Sequence, residues 1–152
     1  MRTFLLIVLA AVLSVGADNP KEDQVKKELK GLEGTWRLVS FKVNGGLDRK
    51  ELFEPLTITI RGNRIVCYFT ERGGPKARLA IDASKKPKHF NLTWDKSPAM
   101  RGRKWLGIYE LGGGRMKICY AMEGKRPNEF SPKGGTEDRP IYLAVWKRVK
   151  SQ

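Results

Sequence analysis

Histidine occurs once in the 152 residues, at position 89, and cysteine twice, at 67 and 119. A protein zinc site takes about four nitrogen, sulfur or oxygen ligands. So few histidines and cysteines exclude a multi-histidine or thiolate metal centre, and no cofactor-binding pattern stands in their place. His89, beside Phe90, reads as a strand surface residue. Ser97 or Ser131 with Asp95 completes a Ser-His-Asp set by residue type only, because neither serine stands on a strand-to-helix elbow. Asp82, Asp95, Glu110 and Glu129 are candidates by acidity alone and read as solvated surface, without the dry setting that acid–base work needs. With no constellation of acid, base and nucleophile, enzymatic activity is not expected.

Acidic residues are also scarce: 16 Asp and Glu face 30 Lys and Arg, for a net charge of +14. Such a balance suits anionic partners, among them nucleic acid, acidic polysaccharide or a phosphate-rich membrane face. The basic residues are spread from Lys21 to Lys150 rather than gathered in one motif, which equally describes a solvated surface. Apart from Phe4 to Leu13 there is no long apolar run. That run follows Arg2 and precedes Val15-Gly16-Ala17, the pattern of a cleavable secretory signal over residues 1–17. It is too short to cross a bilayer comfortably. The mature chain is therefore expected to be exported, periplasmic or extracellular, with no membrane span. Removing the 17 residues, with Arg2 their single charge, leaves 135 of the 152 and lowers the net charge from +14 to +13. That is enough for one domain with one core.

Residues 18–31 read as a short helix or leader. Asn19 suits its cap, Pro20 its first turn and Gly31 its end. Val25, Leu29 and Leu32 form one narrow stripe able to cover a barrel mouth.

From Trp36 the hydrophobic period changes to two. Trp36, Leu38 and Ser40 alternate with Arg37, Val39 and Phe41 as far as a turn at Asn44-Gly45-Gly46. A helical turn over Leu47 to Phe53 is stopped by Pro55. Strand-like runs follow at 56–60, 64–69, 76–82, 89–94, 104–111, 116–121 and 140–147, with Gly62-Asn63 and Gly112-Gly113-Gly114 as turns. Eight sequential antiparallel strands close into an up-and-down barrel and remove exposed edges. The fold class is thus all-β, with the barrel over residues 32–150. Gly34 turns the backbone so that the Trp36 indole plugs one end. Trp146-Lys147-Arg148 closes the last run, with a guanidinium able to lie over an indole face. Cys67 and Cys119 fall on the third and seventh strands, across the barrel from one another. A disulfide needs Cα atoms within about 7 Å, so both are expected to serve as small hydrophobes.

In a small barrel, inward side chains either fill the interior or line a pocket for one ligand. Lys117 outward sends Met116, Ile118 and Tyr120 inward. Lys104 and Glu110 outward send Trp105, Gly107, Tyr109 and Leu111 inward, and Gly107 between two rings leaves a gap that favours a cavity. The last run is ambiguous, because Lys147 and Arg148 are adjacent. Aromatic and basic residues interleave, as at Lys104-Trp105, but no stacking motif is present and export argues against nucleic acid. The Asn91-Leu92-Thr93 acceptor pattern lies inside a strand and is discounted.

Leu32 to Ser40, with Gly34-Thr35-Trp36 at its centre, resembles the opening strand of the calycins, the lipocalins and fatty-acid-binding proteins. Most of residues 30–150 resembles an uncharacterised lipocalin-like domain family of planctomycete bacteria. The matching segments are 56–65, 82–89, 106–111, 117–121 and Arg126-Pro127-Asn128-Glu129-Phe130. The resemblance implies a small antiparallel barrel and carriage of a small apolar or amphipathic ligand, with no catalytic residue. Residues expected to line the site are Phe69, Trp94, Trp105, Tyr109 and Tyr120, with Arg78 receiving an anionic head group. Gly34, Trp36 and Arg148 are expected to close the barrel. The alternative is a ligand-free basic module docking to an anionic envelope polymer or protein.

Overall fold

The computed structural model describes residues 19–70, 72–95 and 102–150. The expected signal over 1–17 and the candidate Ser97 lie outside them. Among the described residues no helix is long and apolar enough to cross a membrane.

Helix α1 spans Pro20–Leu32, with Pro20 in its first turn and Asn19 Oδ1 accepting from the Lys21 N–H at 3.2 Å. Gly31 does not end it. The helix runs one residue further and is capped at Glu33, because Leu32 is drawn into the core. Eight strands follow: β1 Gly34–Val43, β2 Thr57–Arg61, β3 Arg64–Tyr68, β4 Lys76–Asp82, β5 Lys88–Trp94, β6 Lys104–Gly112, β7 Arg115–Ala121 and β8 Ile141–Arg148. Each pairs antiparallel with the next, and β1 pairs with β8, closing the barrel. A 3₁₀ turn, Lys50–Phe53, lies between β1 and β2.

The hairpins follow from local chemistry. Arg61 pairs with Arg64 and Gly112 with Arg115, leaving two-residue loops at Gly62-Asn63 and Gly113-Gly114. Gly113 and Gly114 both have positive φ, +59° and +70°, the conformation that a tight hairpin of matching twist requires.

Strict alternation fails on β1. The register against β8 shifts between Leu38 and Ser40, a bulge that places one extra residue in β1. Trp36 and Leu38 face inward before it, and Phe41 and Val43 face inward after it, so Phe41 lies on the face opposite to the one expected. Ser40, displaced outward, donates to Asp48 Oδ2 at 2.5 Å.

One more expectation needs correction. Gly107 does not leave a gap: it pairs with Phe90 on β5, whose ring occupies the space where a Cβ would stand. Cys119 alternates with the inward Ile118 and Tyr120, in keeping with the expected phase of β7. It lies on the outer face of β7, fully buried beneath the long β7–β8 connection, with its Sγ donating to Ser131 O at 3.9 Å. That connection is a strap. Arg126 Nη1 donates to the carbonyls of Phe90 and Gly107, each at 2.6 Å, and Nη2 to Asn91 Oδ1 at 2.6 Å. Lys117 Nζ lies 4.6 Å from the Phe130 ring centroid. A small outer core of Ile108, Cys119 and Ala121 is sealed in this way, separate from the main core inside the barrel.

Candidate functional site

One end of the barrel is sealed. Trp36 is wholly buried there, its indole N–H donating to Leu32 O at 2.9 Å. Arg148, opposite Trp36 in the β1–β8 register, lies over the indole with Cζ 4.1 Å from the ring centroid. Its Nη1 donates to Glu33 O and its Nη2 to Gly31 O at 2.7 Å. Gly34, at φ +126°, is required, because a Cβ there would stand 2.7 Å from Arg148 Nη1. The three residues expected to close the barrel therefore meet in one cluster. The adjacency of Lys147 and Arg148 is resolved by the end of the strand, where Arg148 curls under the barrel. Helix α1 completes the seal: Glu28 accepts from Lys88 Nζ at 2.6 Å and from Tyr109 Oη at 3.3 Å. Burial, and next the Glu28 carboxylate, push the Tyr109 hydroxyl well above the usual phenol range.

Above this floor lies a cavity of about 520 Å³. Its deep wall is aliphatic, with Leu32, Ile58, Ile60, Ile65 and Leu79. No charged residue among those described is buried. Cys67 lines the interior, and burial pushes its thiol up to about 12. Both cysteines are free.

The upper wall is a belt of rings running across five neighbouring strands onto the 3₁₀ turn. Trp94 meets Trp105 edge-on at 4.7 Å, and Trp105 stacks on Tyr120 at 5.0 Å with planes 9° apart. Tyr120 stacks on Tyr142 at 5.1 Å and Tyr142 on Phe41 at 5.8 Å. Phe41 meets Phe53 edge-on at 4.7 Å. Such offset and edge contacts add about 0.5–1.5 kcal/mol per pair beyond burial. Full burial pushes the Tyr120 hydroxyl far above its ordinary value, and burial raises Tyr142 as well.

Comparison with protein-family models yields no match, and comparison with curated proteins yields none. The site rests on its geometry.

Of the six residues expected to contact a ligand, Phe69, Trp94, Trp105, Tyr109 and Tyr120 line this cavity. Arg78 does not. Ala77 and Leu79 on β4 face inward, so Arg78 between them is exposed on the outer surface, opposite Arg64 and Thr93. The cation at the cavity is Arg49, on the loop after β1, which lines the mouth with Leu52 and Phe53. No local pattern in the sequence distinguishes Arg49 from its charged neighbours. Phe41, Tyr142 and Trp146 also line the cavity. The bulge hid Phe41, whereas the alternation of Tyr142, Ala144 and Trp146 was a usable signal.

The large apolar residues most exposed among those described, Leu47 at 86%, Leu52 at 71% and Phe69 at 48%, all lie on the connections at the open end, Leu52 within the 3₁₀ turn. Asp48 shapes the loop there, accepting from Phe41 N at 2.9 Å and Lys50 N at 3.0 Å as well as from Ser40. Burial works against its charge, but these hydrogen bonds together hold the carboxyl below its usual range. His89 lies on the outer face of β5, and burial, then Arg126, lower its pKa. The four candidate carboxylates do not converge. Asp82 accepts from Ser84, Asp95 pairs with Arg64 at 2.6 Å, and Glu110 pairs with Lys117 at 3.0 Å.

Proposed function

We propose that this chain is an exported lipocalin-like carrier that holds one small apolar or amphipathic molecule inside the barrel. The observation that carries this reading is the apolar cavity of about 520 Å³, closed at one end and walled by stacked rings at the other. Ligand pockets of a few hundred Å³, mostly apolar with a few placed polar groups, are the common form of small-molecule site. The ligand enters by the open end, its apolar body against Leu79, Ile60 and Tyr120. A polar or anionic end stays at the mouth beside Arg49. No catalytic role is assigned to the chain.

Denaturation with and without a lipid extract or a fluorescent fatty-acid analogue tests this directly. A ligand that binds only the folded form, at about one hundred times its Kd, adds roughly 2.7 kcal/mol to stability. The midpoint is expected to rise and tryptophan emission to change. An unmoved midpoint with every extract and analogue refutes carriage.

A second reading has its own observation. Arg37 pairs with Lys147 and Lys147 with Arg115, so three exposed cations form a row across β1, β8 and β7. Like charges directly opposite one another in a sheet are unfavourable, and an anionic polymer would relieve them. Retention on an acidic polysaccharide that falls steeply with salt, and is lost in Arg37→Glu with Arg115→Glu, supports envelope docking. Retention unaffected by salt removes it.

A further inference from the structure

Three tryptophans line the cavity with a polar atom that nothing satisfies. Nε1 of Trp94, Trp105 and Trp146 is buried and has no hydrogen-bond partner among the described residues. Trp94 and Trp146 are each only 6% exposed. Native proteins leave few buried donors unpaired, and each such group weakens the fold. Trp36, the fourth tryptophan, is fully paired through Leu32 O. The unpaired indoles are thus confined to the side chains that face the cavity.

Their placement is also informative. Trp94 and Trp105 touch one another in the ring belt near the open end. Trp146 sits two inward positions further along β8 than Tyr142, about 13 Å along the strand and, with the tilt of barrel strands, about 10 Å nearer the floor, where it pairs with Leu38 and Met116. Donors therefore stand at two depths. Among the described residues no acidic side chain lines the cavity, and the one cation that does, Arg49, is at the mouth. A charged group carried deep into this interior would go unpaired, which is prohibitive. A neutral acceptor oxygen would instead find an N–H donor. Tyr120 is stacked between Trp105 and Tyr142, so these rings turn their edges to the cavity, and the face of a planar ring compound is received edge-on by them better than a bent aliphatic chain.

Taking the carrier reading as given, we infer that the ligand is an uncharged planar ring compound bearing carbonyl-type oxygens, which accept hydrogen bonds from the cavity-facing indoles. Trp94 and Trp105 receive an oxygen at the upper level and Trp146 one near the floor. The rings between them lie against Tyr120.

Fluorene and 9-fluorenone share one tricyclic frame and differ by a carbonyl, so they isolate the contribution of the acceptor. Titration of the ¹⁵N-labelled protein with each, followed through the four indole N–H resonances, needs no substitution. The expected result is that 9-fluorenone binds roughly tenfold more tightly than fluorene. At least one of the Trp94, Trp105 and Trp146 resonances moves downfield, while that of Trp36 stays fixed. Trp94→Phe, Trp105→Phe and Trp146→Phe, which keep a ring and remove the donor, assign the resonances. The variant that loses the responding donor is expected to lose more affinity for the ketone than for the hydrocarbon, so that the roughly tenfold preference between the two falls to about one. Equal affinity for the two compounds, with no indole resonance responding to the carbonyl, overturns the inference and leaves the carrier reading standing. So does tighter ketone binding that all three variants retain. Binding of neither compound, together with no midpoint shift from any lipid, removes both.

Discussion

The two ends of this barrel are built from the same kinds of residue and use them in opposite ways. At the sealed end an indole, a guanidinium and a phenol all have partners: Trp36 with Leu32 O and Arg148, Arg148 with Glu33 O and Gly31 O, and Tyr109 with Glu28. At the open end Trp94 and Trp105 keep buried donors without partners, Phe69 stands half in solvent, and Arg49 borders the cavity with no salt bridge among the described residues. The Trp36 indole, its polar edge satisfied, is a stabilising element, whereas the unpaired indoles are the ones to which our proposal assigns recognition. Stability and binding are therefore expected to separate between Trp36, outside the cavity, and the indoles that line it.

The sharpest way to break that comparison is to remove one indole at each end. Trp36→Ala is expected to cost about 3–5 kcal/mol through the hole it leaves, with the lost Leu32 bond added, and to unfold the chain at low urea. Trp105→Phe is expected to cost under about 1.5 kcal/mol, since it keeps an apolar ring and removes a donor that had no partner. Similar losses in chemical denaturation would mean that the two ends are not different in kind. Next in size, Arg148→Ala should lose about 1.5–3 kcal/mol, because two charge-assisted bonds to carbonyls disappear together with the ring contact. Arg148→Lys is expected to recover only part of this, as an ammonium lacks the planar fork.

The outer strap gives a third prediction that sharpens the contrast between the faces of the sheet. Burial pushes Cys119 up to about 11, and Cys67 stands at about 12 inside the barrel. Neither is expected to react with a thiol reagent at neutral pH. Arg126→Ala removes the three bonds that pin the strap, so Cys119 should become reactive many-fold faster while Cys67 stays protected. Peptide mapping of the modified cysteine decides the matter. Equal labelling of both would indicate global loosening instead.

The smallest effect belongs to Asp48. Its carboxyl is held below the usual range, so the stability it lends is present at neutral pH and is lost as pH falls through the lowered value. Acid should therefore loosen the mouth loop before it unfolds the barrel. In wild type, ligand exchange is expected to quicken as pH drops below the carboxylate range, whereas Asp48→Asn should exchange quickly at every pH. A flat pH profile for both would show that this loop does not limit exchange.

Much of the architecture was legible in the residue pattern, for reasons that are local. Gly62-Asn63 and Gly113-Gly114 can hardly be anything but tight turns, and β-branched runs between such turns must pair with their neighbours. Alternation then assigns faces wherever the ladder is regular, which is why Trp105, Tyr109 and Tyr120 were expected inside. It misleads where regularity stops. The bulge after Leu38 turns Phe41 inward, a change of phase that depends on the pairing with β8 and leaves no mark in β1 alone. Gly107 looked like missing volume because its neighbour across the ladder, Phe90, is 17 positions away in the chain. Arg78 was given to the interior although the residues on either side of it, Ala77 and Leu79, are the apolar ones. Arg49 and the strap lie in connections, where periodicity carries no information about what a side chain meets.

The pairing of β1 with β8 has a practical corollary. The end of β8 at Arg148 lies beside the Trp36 plug, on the side away from Leu47 and Phe69. A linker or surface attachment fused after residue 150 would hang from the base like a stem. The doorway would then point outward, unobstructed, so immobilised protein should capture its cargo as readily as protein free in solution.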